Sequence, residues 1–207
     1  MQILTEYKAE EFLEKEGFPV VDRILCKNEQ EALTAAKKYG FHVVLKVASD
    51  KLMHKTDLNA VRLNVSKENF SQTYKELNNI TIEKEGIVVQ KYAHGKYLLV
   101  GIKKDPTFGH VLAVGLGGIY TEVLKDVSFR VIPVEKKDVQ EMLQELKGFE
   151  ILKGFRGEKV NLKSVYTFLL KIARLAEKHP HIEELDINPL IVNEKEATIV
   201  DARIVFN

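Results

Sequence analysis

The sequence predicts an α+β fold in two lobes. Three observations carry that reading. Helix and strand signals alternate in the first part of the chain, strand signals then run in series from Gly86, and no internal repeat or low-complexity tract interrupts either stretch. The change of texture places the lobe boundary near residues 90–95. Residues 1–92 are expected to form the N-terminal lobe and 93–207 the C-terminal lobe.

Each element follows from local chemistry. Thr5 can cap a first helix, with Tyr7, Phe12 and Leu13 as its apolar stripe and Gly17 just past its end. Residues 20–25 read as a short strand. Asn28 followed by Glu31 resembles a capping box for a helix over 29–39, closed by Gly40. The β-branched run HVVLKVA over 42–48 predicts a strand buried on both faces. A polar loop follows, then a strand at 60–65 and a helix at about 67–78. Strands are expected at 86–92, 97–103, 110–115, 120–125 and 128–133, separated by the turn signals Asp105-Pro106, Phe108-Gly109 and Gly117-Gly118. Helices are expected at 136–146 and 162–178. A final hairpin pairs 189–193 with 197–202 across the polar turn NEKEA.

Composition limits what such a fold can do. The 207 residues carry 31 Lys+Arg against 30 Asp+Glu, a formal net charge of +1, with 45% hydrophobic residues. The balance argues against general attraction to nucleic acid or to an anionic membrane. The apolar content is too high for a disordered chain, and no run approaches the roughly 18–20 apolar residues that span a bilayer. The N-terminus lacks the pattern of a secretory signal. With Cys26 as the single cysteine, a cytoplasmic protein is expected. Abundant Lys and Glu with no Trp lean towards a thermophilic source.

Several residues are out of place unless they do chemistry. Lys46 interrupts a buried-type strand. Either an anion such as phosphate meets it, or the strand is an edge and the lysine reaches water. His54 is flanked by Lys55 and Asp57. Imidazole can be both nucleophile and leaving group for a phosphoryl, and it can equally be a solvated loop residue. Gly115-Leu116-Gly117-Gly118 follows an apolar strand and could bring N–H groups to phosphate, or simply turn a hairpin. Glu122, Asp126 and Arg130 recur every four residues, which puts them on one face of a strand, and a polar cleft is expected there. Asp186 and Asn188 precede an apolar strand, and Asp201 interrupts another. A hairpin of that length can join an amide oxygen and a carboxylate as sparse oxygen ligands for Mg²⁺. Asp186 could instead cap a helix-to-strand turn.

The segments VVLKVAS (43–49), HKTD (54–57), VVQKYA (88–93), KDPTFGHVLAVGLGGIYTEVLKDVSFRVIP (104–133), ELDINPLIV (184–192) and VDARI (200–204) occur in an order that resembles the ATP-grasp β subunit of ADP-forming acyl-CoA (acetyl-CoA) synthetases, relatives of succinyl-CoA synthetase. The resemblance runs through essentially the whole chain. It implies an ATP-grasp fold with the nucleotide site between two α/β lobes. It implies that Lys46 contacts ATP or ADP phosphates, that Gln90, Lys91, Tyr92 and Ala93 form the hinge against the adenine edge, and that Gly117 and Gly118 lie near the transferred phosphate. Lys55, Glu122 and Arg130 fall in the same matched segments and join the nucleotide-binding set. Asn188 and Asp201 match a magnesium pair, His54 a phosphate-carrying histidine, and Asp186 an acid that supports the phosphohistidine.

The reaction so implied is acyl-CoA + ADP + phosphate ⇌ carboxylate + CoA + ATP. A phosphoryl group passes from a histidine of an α subunit to His54 and on to Mg-ADP. The CoA-binding and acyl-binding domains belong to that α subunit in an expected α₂β₂ assembly, because 207 residues leave room for two ATP-grasp lobes and little else. Two departures point to alternatives. Leu58-Asn59-Ala60 stands where the family has a hydrophobic residue and Gly-Gly, and Tyr97 stands where it usually has glutamate. A catalytically degenerate regulatory or scaffold module and another ATP-grasp carboxylate ligase are the competing readings.

Overall fold

Local caps account for much of the observed structure. The computed structural model describes residues 1–49, 59–117, 126–154 and 159–207. Helix α1 (Glu6–Lys15) buries Ala9 and Leu13. Before helix α2 (Glu29–Tyr39), Asn28 Oδ1 accepts from Glu31 N at 2.9 Å and Glu31 Oε2 accepts from Lys27 N at 2.8 Å, a reciprocal N-terminal cap. Gly40, at φ 84°, closes the helix in the left-handed region. Helix α3 (Phe70–Asn78) ends over Lys84, whose ammonium donates to the carbonyls of Leu77, Asn78 and Ile80.

The chain divides into two compact units, Val21–Ala93 and a larger one made of Met1–Val20 with His94–Asn207. The second boundary falls at the expected hinge stretch. The first twenty residues, expected in the N-terminal lobe, belong instead to the larger unit. The reason is a strand that the sequence reading missed. β1 (Gln2–Leu4) pairs antiparallel with the C-terminal strand β11 (Ala202–Phe206).

In the smaller unit, β2 (Arg23–Cys26), β3 (Val43–Ala48), β4 (Val61–Val65) and β5 (Gly86–Lys91) form an antiparallel sheet in the order β2-β5-β3-β4. Helices α2 and α3 cover one face, where Cys26, Val43, Leu45, Val47, Ile87 and Val89 pack with Ala32, Ala36, Phe70 and Leu77.

In the larger unit the described strands form a sheet in the order β1-β11-β9-β6-β7-β8, where β6 is Lys96–Asp105, β7 Gly109–Leu116, β8 Val127–Val131 and β9 Ile182–Val192. A short β10 (Ala197–Ile199) pairs with β9. Helices α1, α4 (Lys136–Glu145), α5 (Phe149–Leu152) and α6 (Leu162–Lys178) bury Leu13, Met142, Leu143, Leu152, Leu169 and Ile172 against Val100, Ile102, Leu112, Val114 and Leu185.

Most predicted elements lie within one to three residues of the observed ones. The expected strand at 120–125 lies outside the described residues. The 189–193 hairpin arm is the last part of an eleven-residue strand that begins at Ile182. Glu184 and Asp186 hid its start, because their carboxylates face away from the core while Ile182, Leu185 and Ile187 fill it. The 197–202 arm is two strands, β10 and β11, broken at Val200-Asp201.

Candidate functional site

Lys46 lies on β3, which is flanked by β5 on one side and β4 on the other. The edge-strand reading is therefore excluded, and the residue is only 5% exposed. Its chain neighbours Leu45 and Val47 enter the helix-covered core, so Lys46 points to the opposite face, which is helix-free among the described residues. Register places Lys46 opposite Val88 and Val44 opposite Gln90, and on the far side of β5 Arg23 lies opposite Gln90. Gln90 is 2% exposed on that same face. Lys91 is exposed, and Tyr92 and Ala93 are half-buried at the end of the smaller unit. Asn59 adopts φ 50°, a left-handed angle that asparagine tolerates, and Ala60 is buried with its carbonyl accepting from Val47 N at 3.0 Å.

The larger sheet also has a face that no helix among the described residues covers. One cross-strand row on it reads Phe129, Ala113, Gly101, Asp186, Arg203 from β8 to β11. A cleft of about 460 Å³ lies over Gly101 and Ala113, walled by Phe129, Val111 and Pro106 and rimmed by Lys103, Glu184 and Asp186. Asp186 thus belongs to a strand face and not to a helix-to-strand turn. Burial pushes its carboxyl up to about 6, with the nearby charges of Asp201 and Glu184 adding to the rise and Arg203 opposing it.

Asn188 and Asp201 sit at matched interruptions of adjacent strands. β11 pairs with β9 up to Ile187, β10 takes over from Leu190, and the register against β6 shifts between Leu98 and Val100. Pro189 cannot donate to a ladder, so the bulge falls where its hydrogen bond would be. Across this gap Asn188 N donates to the Asp201 carbonyl at 3.2 Å. The two residues predicted to share a metal are therefore neighbours. An amide oxygen and a carboxylate suit Mg²⁺, which takes few protein oxygens and leaves places for water and phosphate. Among the described residues no three His, Cys, Asp or Glu side chains are grouped to hold a metal by themselves.

Gly117 follows β7, and its N–H donates to the Tyr97 carbonyl at 2.8 Å. A Cβ at Gly117 would lie 3.0 Å from the Tyr97 Cβ and 3.1 Å from its carbonyl carbon, so a side chain here would press on Tyr97. Tyr97 is 42% exposed beside it.

The polar cleft expected from Asp126 and Arg130 is not found. Both lie on the helix-covered side, because Arg130 pairs with the core residue Leu112. Asp126 is buried, and its two carboxylate oxygens accept from Lys147 N at 2.9 Å and Gly148 N at 3.0 Å, capping the corner between α4 and α5. The Arg130 guanidinium grips Glu145 at 2.5 Å and 3.1 Å, with Glu141 at 3.9 Å, so it is not brought to Asp186 and the metal pair. Of the remaining expected site residues, His54, Lys55, Gly118 and Glu122 lie outside the described residues. Arg203 and Glu184 were missed. The alternation through 184–186 and 201–203 was the signal that would have placed them beside Asp186.

A family model described as an ATP-grasp domain matches residues 1–206. The chain is 37% identical over 212 residues to the acetate–CoA ligase [ADP-forming] I subunit beta of Pyrococcus furiosus, covering 98% of this chain and 91% of that one. It is 38% identical over 226 residues to acetate–CoA ligase [ADP-forming] I of Archaeoglobus fulgidus, covering 96% of this chain but 33% of the relative, so it spans about a third of that protein's length. A solved structure of acetyl-coenzyme A synthetase 1 from Ca. Korarchaeum cryptofilum, in complex with coenzyme A and Ca-AMPCP, superposes with a TM-score of 0.92 at 37% identity, covering 100% of this chain and 94% of that one. Another structure of that enzyme, holding Mg-AMPPCP with its phosphohistidine segment pointing towards the nucleotide binding site, gives a TM-score of 0.85 at 34% identity, covering 99% and 93%. With residues 1–206 matched by the family model, the chain belongs to the ATP-grasp domain family.

Proposed function

We propose that the chain is the nucleotide-binding module of an ADP-forming acyl-CoA synthetase, relaying phosphate through His54 to Mg-ADP. The observation that carries the reading is the Asn188–Asp201 contact at the paired strand breaks, with Asp186 two residues away on the same strand. Under this reading Lys46 neutralises nucleotide phosphate charge, and its buried position makes that charge effective. Asn188 and Asp201 hold Mg²⁺, which when bound would offset the charge on the β-phosphate and the transferred phosphoryl group. Asp186, with its carboxyl raised by burial, can accept or share the imidazole proton while the His54 ring carries the phosphoryl group. Splitting the transfer at a histidine turns one long passage into short in-line steps. The CoA-binding and acyl-binding functions then reside in a partner α subunit, or in the remainder of a longer polypeptide, since the Archaeoglobus relative is about three times the length that this chain matches. An α₂β₂ assembly and a cytoplasmic setting complete the proposal. Among the described residues no helix is long and apolar enough to cross a membrane.

The test is covalent labelling. The chain and its CoA-binding partner are incubated with Mg-ATP labelled in the γ-phosphate. Acid-labile, base-stable label that disappears in His54→Ala supports the relay. Absence of such label, or its persistence in His54→Ala, overturns it. A carboxylate ligase would leave no such phosphohistidine. Tyr97 and Asn59-Ala60 favour a second reading, a module that has lost catalysis. Calorimetry separates the two, because undetectable binding at millimolar Mg-ADP would support the second and micromolar binding the first.

A further inference from the structure

The helix-free face of the smaller sheet carries a third polar side chain that the nucleotide reading leaves unused. Arg23 lies directly opposite Gln90 in the β2–β5 register, and its neighbours Ile24 and Cys26 pack towards the helices. Arg23 therefore shares a face with Gln90, Val88, Val44 and Lys46. Its position on that face is specific. Lys46 pairs with Val88, and Val88 with Leu25, so Arg23 is two strands across and two residues along from Lys46. With strands about 4.8 Å apart and about 3.3 Å of rise per residue, the two Cα atoms are separated by roughly 12 Å. A nucleoside diphosphate with its phosphates at Lys46 can reach across that separation with its base. Arg23 also stands at the Gln90 end, where β5 runs on into Lys91–Ala93.

The backbone there is pinned. Lys91 N donates to the Asp22 carbonyl at 2.9 Å, and the Lys91 ammonium lies 3.8 Å from the Asp22 carboxylate. The half-buried Arg23 is thus held at a fixed distance from the segment expected to meet the base. A guanidinium offers a flat stacking surface and directional donors, both suited to a purine, whereas an ammonium offers neither.

We propose that Arg23 contacts the nucleobase and helps to set base specificity. The assignment rests on the nucleotide-binding reading above and adds to it the side chain that meets the base. The test is calorimetry on the whole chain with two ligands, Mg-ADP and Mg-tripolyphosphate, the second sharing the phosphates and lacking the base. Arg23→Ala and Arg23→Lys are each expected to bind Mg-ADP about tenfold more weakly. Both should hold Mg-tripolyphosphate within about twofold of the unaltered chain, which also shows that they are folded. Unchanged ADP affinity in Arg23→Ala overturns the assignment. So does an equal loss for both ligands, which would mean a phosphate contact, and so does full affinity in Arg23→Lys, which would mean charge alone. If the unaltered chain binds neither ligand, the nucleotide reading itself falls. If it binds both while Arg23→Ala is unchanged, only this assignment falls.

Discussion

Replacing Asp126 by alanine separates a structural role from a catalytic one. The carboxylate is buried and accepts from two backbone N–H groups, Lys147 at 2.9 Å and Gly148 at 3.0 Å. Those bonds hold the corner where α4 gives way to α5. The corner packs against Leu116, whose Cδ1 would lie 2.0 Å from a Cβ on Gly148. A hydrogen bond to a charged group contributes about 1.5–3 kcal/mol net, so losing two should cost about 3–6 kcal/mol. For a chain of this size that corresponds to a fall in Tm on the order of 10 °C. The chain has no tryptophan, so the assay is far-UV circular dichroism during urea and thermal unfolding. Mg-ADP affinity, measured where both proteins are folded, should stay within about threefold, or roughly 0.6 kcal/mol. A stability loss below about 1 kcal/mol would show that the two donors find other partners. Loss of Mg-ADP affinity at full stability would return Asp126 to the site and refute its assignment to the α4–α5 corner.

Three other substitutions test the remaining assignments. Lys46→Met removes the buried cation that faces the nucleotide in the proposed function, and calorimetry should show Mg-ADP binding at least about tenfold weaker; affinity within twofold would sink the phosphate contact. Asp201→Asn keeps the Asn188–Asp201 backbone bond but halves the oxygen donors of that side chain, so the Mg²⁺ concentration needed for half-maximal nucleotide binding should rise about tenfold while metal-free ADP binding is unchanged. Glu16 is held below the usual carboxylate range by its hydrogen bond from Lys178, with the bond to His179 and the charges of both assisting. A depressed pKa contributes stability above the ordinary value and loses it as pH falls through the lowered one. Urea unfolding should therefore show Glu16→Gln less stable than the unaltered chain at pH 7, with the gap closing as pH falls through the ordinary carboxylate range and on through the lowered value, and a gap independent of pH would contradict the ion pair.

Much of the fold was legible because its signals are local. Asn28, Glu31 and Gly40 cap α2 through atoms within a few residues of one another. The turns at Asp105-Pro106 and Phe108-Gly109 bound strands whose apolar faces repeat every second residue. What stayed hidden depended on distant partners. β1 is three residues long and exists only because β11 lies beside it. The start of β9 reads as acidic because its outward residues, Glu184 and Asp186, share the open face with Arg203 and Lys103, and no local pattern announces those neighbours.

The site was legible for a related reason, and so was the error in it. Period-two spacing tells which residues share a face of a strand but not which face the helices will cover. Asp126 and Arg130 share one face, as the spacing predicts, and Glu184 and Asp186 share a face of β9, which went unread. The structure puts helices α4 and α5 over the first pair, so their charges are consumed by Lys147, Gly148 and Glu145. It leaves the second pair on a face without helices, where Asp186 borders a cleft. The same distinction applies in the smaller sheet. Lys46 and Gln90 are as buried as core residues, yet they lie opposite helices α2 and α3. Burial alone would mark them as structural. Burial on the helix-free face marks them as candidates for a ligand, and it marks Arg23 by the same rule. A polar residue on a two-faced sheet is thus assigned by the register that fixes its face and the helices that choose which face they cover, and the sequence states the first more plainly than the second.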